Sequence, residues 1–94
     1  MTSLQIRISG RVQGVGFRDA LRREAETAGV RGWVRNRRDG TVEALLQGSH
    51  EALDRVVKWA ERGPSAAHVT ALTVAAPEPD FDRAYQQFEC WPTA

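Results

Sequence analysis

Gly10-Arg11-Val12-Gln13-Gly14-Val15-Gly16-Phe17-Arg18 sits where one periodicity of the chain gives way to another. Upstream, Leu4, Ile6 and Ile8 alternate with Gln5, Arg7 and Ser9, the period-two pattern of a half-buried strand continuing toward Val12. Downstream, Phe17, Ala20, Leu21, Ala25 and Ala28 recur at helical spacing, with Arg22, Arg23, Glu24 and Glu26 mostly off that face. Between the two patterns, Gly14 and Gly16 mark backbone that needs unusual dihedrals. A strand that turns through glycine straight into a helix is the first unit of the fold.

The rest of the chain extends that unit. Gly29 is a helix stop. Trp33-Val34-Arg35 reads as a second strand, and Arg38-Asp39-Gly40 as the hairpin turn into a third over residues 41–47. Ser49 caps a second helix over residues 51–62, whose apolar face is Leu53, Val56, Val57 and Ala60. Gly63-Pro64 ends it. Residues 69–75 read as a fourth strand and residues 85–90 as a short edge strand after Pro77 and Pro79. The order is βαββαβ with a short fifth strand, an α+β chain in one domain spanning residues 1–94. Its expected form is ferredoxin-like, an antiparallel sheet with both helices on one face. In that topology the first two strands run the same way. The loop at residues 13–16 and the stretch around Asn36 then meet at one edge of the sheet, about 10 Å apart across the third strand.

Such a junction suits an anion. Glycines there let successive N–H groups turn toward one point, and the first turn of the helix adds unpaired N–H groups and its positive dipole end. Arg18 brings a fixed charge and a planar donor fork. The segment is not a Walker A loop, since no Gly-Lys-Ser or Gly-Lys-Thr follows, and it lacks the third glycine of a dinucleotide fingerprint. It predicts a pocket for one phosphate-sized dianion. The competing structural reading is a tight strand-to-helix connection with Arg18 in solvent.

Composition excludes several classes. The 94 residues are 41% hydrophobic and 27% charged, with a net charge of +1, too near neutral for nucleic-acid binding driven by charge alone. The single cysteine, Cys90, forbids an intrachain disulfide and reads as a small buried apolar residue. With no apolar leader and no membrane-length run, the expectation is a cytoplasmic chain with no membrane partner. His50 and His68 stand apart, no metal-ligand spacing occurs, and no nucleophile has a base and orienting partner, so neither metal nor cofactor is expected. Trp33 and Trp59 read as packing residues and Trp91 as exposed near the terminus. Glu24 and Glu26 read as a solvated helix face with Arg22 and Arg23 as local partners. Arg31, Arg35, Arg37 and Arg38 raise an RNA-binding alternative. The two central strands carry no aromatic for base stacking, which weakens it, and nucleic acid is not an expected partner. No apolar face is left over once the helices pack, so a monomer is expected.

Gly10 to Arg18 resembles the signature of the acylphosphatase family. Gly29-Val30-Arg31-Gly32-Trp33-Val34-Arg35-Asn36 and Asp39-Gly40-Thr41-Val42-Glu43 are similar to that family's second block at the proper spacing. Gly48, Gly63-Pro64, Tyr85 and Phe88 also fall in register, so the resemblance covers nearly the whole chain. It implies a small hydrolase that splits acyl phosphates into carboxylate and inorganic phosphate. It implies that Gln13, Gly14, Val15, Gly16, Phe17 and Arg18 form the phosphate-binding loop, and that Arg18 and Asn36 are catalytic, Asn36 orienting the attacking water. Departures are Asp19, Ala20 and Leu21, where aromatics are common, Arg37 and Arg38 in place of smaller polar residues, and the ending Trp91-Pro92-Thr93-Ala94. An amide is a poor general base, so Asn36 is expected to orient while a substrate phosphate oxygen takes the proton. The rival outside enzymes is a non-catalytic anion-binding or RNA-binding module on the same fold.

Overall fold

The computed structural model describes residues 1–94. Leu4, Ile6 and Ile8 do lie on one face of a long first strand, β1 (Thr2–Arg11), because alternation along a strand sends every second side chain to the core. Helix α1 (Phe17–Ala28) buries Phe17, Leu21 and Ala25, and Gly29 stops it in the left-handed conformation at φ 76°. Strands β2 (Arg31–Asn36) and β3 (Val42–Gly48) form the expected hairpin. Ser49 caps α2 (His50–Ala60), its hydroxyl accepting from the Ala52 N–H at 3.2 Å. Strand β4 (His68–Ala75) and β5 (Phe88–Cys90) complete the sheet, with one 3₁₀ turn (Pro79–Phe81) between them.

The strand order is β4-β1-β3-β2-β5. β1 pairs antiparallel with both β3 and β4, and β2 antiparallel with β3, whereas β5 runs parallel to β2. The sheet is therefore mixed rather than antiparallel throughout. After β4 the chain crosses the helix-free face at the end where β2 begins, so on reaching the far edge it can only run alongside β2. Beyond Cys90 it keeps that course: the Trp91 N–H donates to Val34 O at 2.8 Å and the Ala94 N–H to Asn36 O at 3.1 Å.

The helices cover one face of the sheet, where Ile6, Ile8, Val34, Val42, Ala44 and Leu46 meet Phe17, Leu21, Leu53 and Val56. The other face has a small core of its own, Trp33, Leu45 and Tyr85, flanked by Phe81 and Trp91. Trp91 is half-buried rather than exposed: it stacks on Trp33 with ring centroids 4.4 Å apart and planes 10° from parallel. The crossing segment is held to that face by side-chain amides. Gln5 accepts from the Glu78 N–H, and Gln47 donates to Arg83 O while accepting from the Tyr85 N–H. Cys90 is exposed, not buried, since it ends a three-residue edge strand. Glu24 finds its partner on the other helix, in Arg55 at 3.1 Å, instead of in Arg22 or Arg23. Adjacent antiparallel helices bring the two within reach, and no reading of one helix alone could show it.

Candidate active site

Gly14 and Gly16 have φ of 73° and 78°. An added Cβ would meet nothing within 4 Å at either position, so it is the left-handed backbone, not crowding, that calls for glycine. Gly16 is also the N-cap of α1 and offers no side chain to cap the helix. The backbone N–H groups of residues 13–19 consequently donate to no protein oxygen. An arc of unpaired donors at a helix N-terminus is an anion receptor in the backbone itself.

The arc opens into a pocket of about 100 Å³. Gly14, Gly16, Phe17 and Arg18 line it from the loop, and Asn36 from the end of β2; Val12 and Asp19 complete the wall. The space is roomy enough for a phosphoryl group. Asn36 and the loop share the pocket because β1 and β2 both flank β3 and end at the same edge. Asn36 faces the helices, while its neighbours Arg35 and Arg37 reach across the opposite face to Glu43. Neither Arg18 nor the Asn36 amide is engaged by another side chain: Arg18 has no ion pair and the Asn36 side chain no hydrogen bond. Both groups are thus available to whatever enters the pocket.

Gln13 and Val15 sit in the loop but do not line the pocket. Val15 packs against the main core. The Gln13 amide turns away and donates both its hydrogens to the hairpin, to Arg37 O at 2.7 Å and Thr41 O at 2.9 Å. It ties the loop to the hairpin that carries Asn36. At the hairpin tip, Asp39 accepts from the hydroxyl and backbone N–H of Thr41 and pairs with Arg7 at 3.5 Å. Those Thr41 bonds, with the Arg7 charge, hold its carboxyl below the ordinary range.

Behind Asn36 lies a feature that motif reading passed over. Glu43 is 2% exposed and sits opposite Arg7 on one neighbouring strand and Arg35 on the other. Its carboxylate accepts from Gln5, Arg7 and Arg35, each at 2.9 Å, and Arg37 stands at 3.5 Å. Burial pushes its pKa up, but the bonds from Arg35, Gln5 and Arg7 and the Arg35 charge outweigh that, and the group is held below 4.5. One carboxylate at a strand position, amid several arginines, was the available signal. The arginine cluster behind the RNA-binding alternative thereby divides: Arg35 and Arg37 pair with Glu43, and Arg31 donates to Tyr85 O. His50 and His68 are both exposed, and no three His, Cys, Asp or Glu side chains gather as a metal-binding group. No helix is long and apolar enough to cross a membrane.

The sequence profile of the acylphosphatase family matches residues 4–90. The chain belongs to the acylphosphatase family. It is 52% identical to the acylphosphatase of Thiobacillus denitrificans over 86% of its own length and 91% of that protein. The crystal structure of the Bacillus subtilis acylphosphatase superposes with a TM-score of 0.86 at 35% identity, covering 97% of this chain and 99% of that one. The structure of an acylphosphatase from Coxiella burnetii gives 0.88 at 30% identity, over 96% and 92% of the two chains. Family membership makes this chain a hydrolase, and the ferredoxin-like fold is common to it and these structures.

Proposed function

We propose that the chain hydrolyses the carboxyl–phosphate bond of acyl phosphates by direct attack of a water held by Asn36 on a phosphoryl group held by Arg18 and the loop amides of residues 13–18. The observation that carries this reading is the shared pocket: unpaired backbone donors, an unengaged guanidinium and an unengaged amide face one space of about 100 Å³. The phosphoryl oxygens take the N–H groups and the Arg18 fork, which balance charge as it develops in the transition state. The water oxygen forms a bond to phosphorus while the bond from phosphorus to the acyl oxygen breaks. The carboxylate leaves with the bonding electrons, and a water proton passes to a phosphoryl oxygen. Asn36 supplies geometry rather than basicity, and a carboxylate leaving group makes that enough. Because a guanidinium and amides carry the electrostatic work, the reaction in this reading uses no metal. One chain holds every group named, which favours an active monomer, and the single exposed thiol suits the cytoplasm.

The test is hydrolysis of a synthetic aryl acyl phosphate in the presence of a chelator. The native chain turns over at an undiminished rate, Asn36→Ala and Arg18→Gln are inactive, and only Arg18→Gln also loses inhibition by inorganic phosphate. A folded native chain without hydrolysis would leave an anion-binding module instead.

A further inference from the structure

We infer that Glu43 is a positioning residue for the reaction: from the face opposite the pocket it grips the two arginines that flank Asn36, and so fixes where the Asn36 amide points. The inference rests on the role proposed for Asn36. Along an extended strand, neighbouring side chains take opposite faces. Asn36 therefore enters the pocket only while Arg35 and Arg37 are turned to the other side of the sheet. Glu43 is what holds them there, with one oxygen, Oε1, facing Arg35 Nε at 2.9 Å and Arg37 Nη1 at 3.5 Å.

The grip is graded. The Arg35 side chain is 14% exposed, and its guanidinium lies 4.9 Å from the Trp33 ring and 5.3 Å from that of Phe81. Cation–π attraction thus gives Arg35 a second anchor. Arg37 has no such aromatic neighbour, and its side chain is 32% exposed. Glu43 is its only ion-pair partner. Arg37 is also the first residue beyond β2, where one last backbone bond, from its N–H to Thr41 O at 2.8 Å, joins the arms of the hairpin. The carboxylate accordingly matters most at the end of the strand where Asn36 sits. Without its charge, Arg7, Arg35 and Arg37 would crowd one another with only the exposed Asp39, beside Arg7, in opposition. Repulsion would drive out the least anchored of them, Arg37, and its backbone is bonded directly to Asn36.

A structural role alone would lower stability and leave turnover by the folded fraction unchanged. A positioning role alters kcat and leaves phosphate affinity intact, since the anion is held by a different part of the chain. We would measure kcat, KM and phosphate inhibition for Glu43→Gln, Arg37→Gln and the double variant, well below each melting temperature, with Asn36→Ala alongside. Arg37→Gln removes only the outermost pair and keeps the falsifiable comparison should Glu43→Gln fold poorly. Each single variant is expected to lose about tenfold in kcat, short of the roughly hundredfold a 1 Å misplacement can cost, with KM and phosphate inhibition nearly unchanged. The double variant should fall no further than Glu43→Gln, because Arg37 acts through Glu43. The Asn36 side-chain amide resonances should shift in both single variants. An inactive Asn36→Ala beside Arg37→Gln and Glu43→Gln with native kcat and unmoved Asn36 resonances would overturn the inference and leave the proposed mechanism standing. A fully active Asn36→Ala would overturn both.

Discussion

Replacing Gln13 by alanine should weaken the protein and slow the enzyme at once. The Gln13 amide makes two hydrogen bonds to the hairpin, at 2.7 Å to Arg37 O and 2.9 Å to Thr41 O. Both carbonyls also accept a backbone N–H, from Gly40 and Arg37 respectively, so neither is orphaned by the substitution. The loss is then that of two ordinary bonds, about 0.5–1.5 kcal/mol each, or about 1–3 kcal/mol together. In a domain of this size each kcal/mol lowers Tm by about 4–8 °C. The tie also spans the two walls of the pocket, so a slackened loop should cost about tenfold in kcat as the phosphoryl group and the Asn36 water lose alignment. Gln13→Glu is the sharper probe. It keeps the shape but cannot donate when ionised, and it sets a negative charge against two carbonyls and beside the anion pocket. It should therefore be worse than Gln13→Ala in Tm, in kcat and in phosphate inhibition. Thermal unfolding and aryl acyl phosphate hydrolysis read all three. Native Tm and native kcat in both variants would refute the reasoning, and show that the loop and hairpin keep their spacing without the tie.

Acid sensitivity follows from Glu43. Its carboxyl is held below 4.5 in the folded chain, so its contribution to stability is present above the unfolded pKa and is lost as pH falls through the folded one. Urea unfolding of the native chain should thus show a loss of stability below about pH 4.5 that is smaller in Glu43→Gln. On the same face, Trp33 is fully buried and Trp91 only half-buried, so truncation to alanine should cost about 3–5 kcal/mol at Trp33 and about 1 kcal/mol at Trp91. Denaturant midpoints would check the order, and an equal cost would mean the stack on Trp33 is as important as its burial.

Much of the molecule was legible in order of residues alone, and for local reasons. Alternation at Leu4, Ile6 and Ile8, helical spacing from Phe17 to Ala28, and the cap at Ser49 each depend on neighbours a few positions away, so the elements they specify appeared where expected. The glycine loop before Arg18 was visible for the same reason, because left-handed backbone at Gly14 and Gly16 is a property of single residues. Even the meeting of loop and Asn36 followed from element order, since the handedness of the crossovers leaves little choice.

Tertiary structure decided what depends on distant partners. Whether the last strand ran with or against β2 turned on the route of residues 76–87 over a face whose polar anchors, Gln5 and Gln47, lie far away in the chain. Trp91 became a packing residue only because that route delivered it onto Trp33. Glu43 carries no local sign of its four partners, which come from two other strands and the hairpin, Gln5 and Arg7 from β1, Arg35 from β2 and Arg37 from the turn. Periodicity reports which face a side chain takes. It does not report what waits on that face, and a buried carboxylate is stable only because the fold brings its counter-charges there.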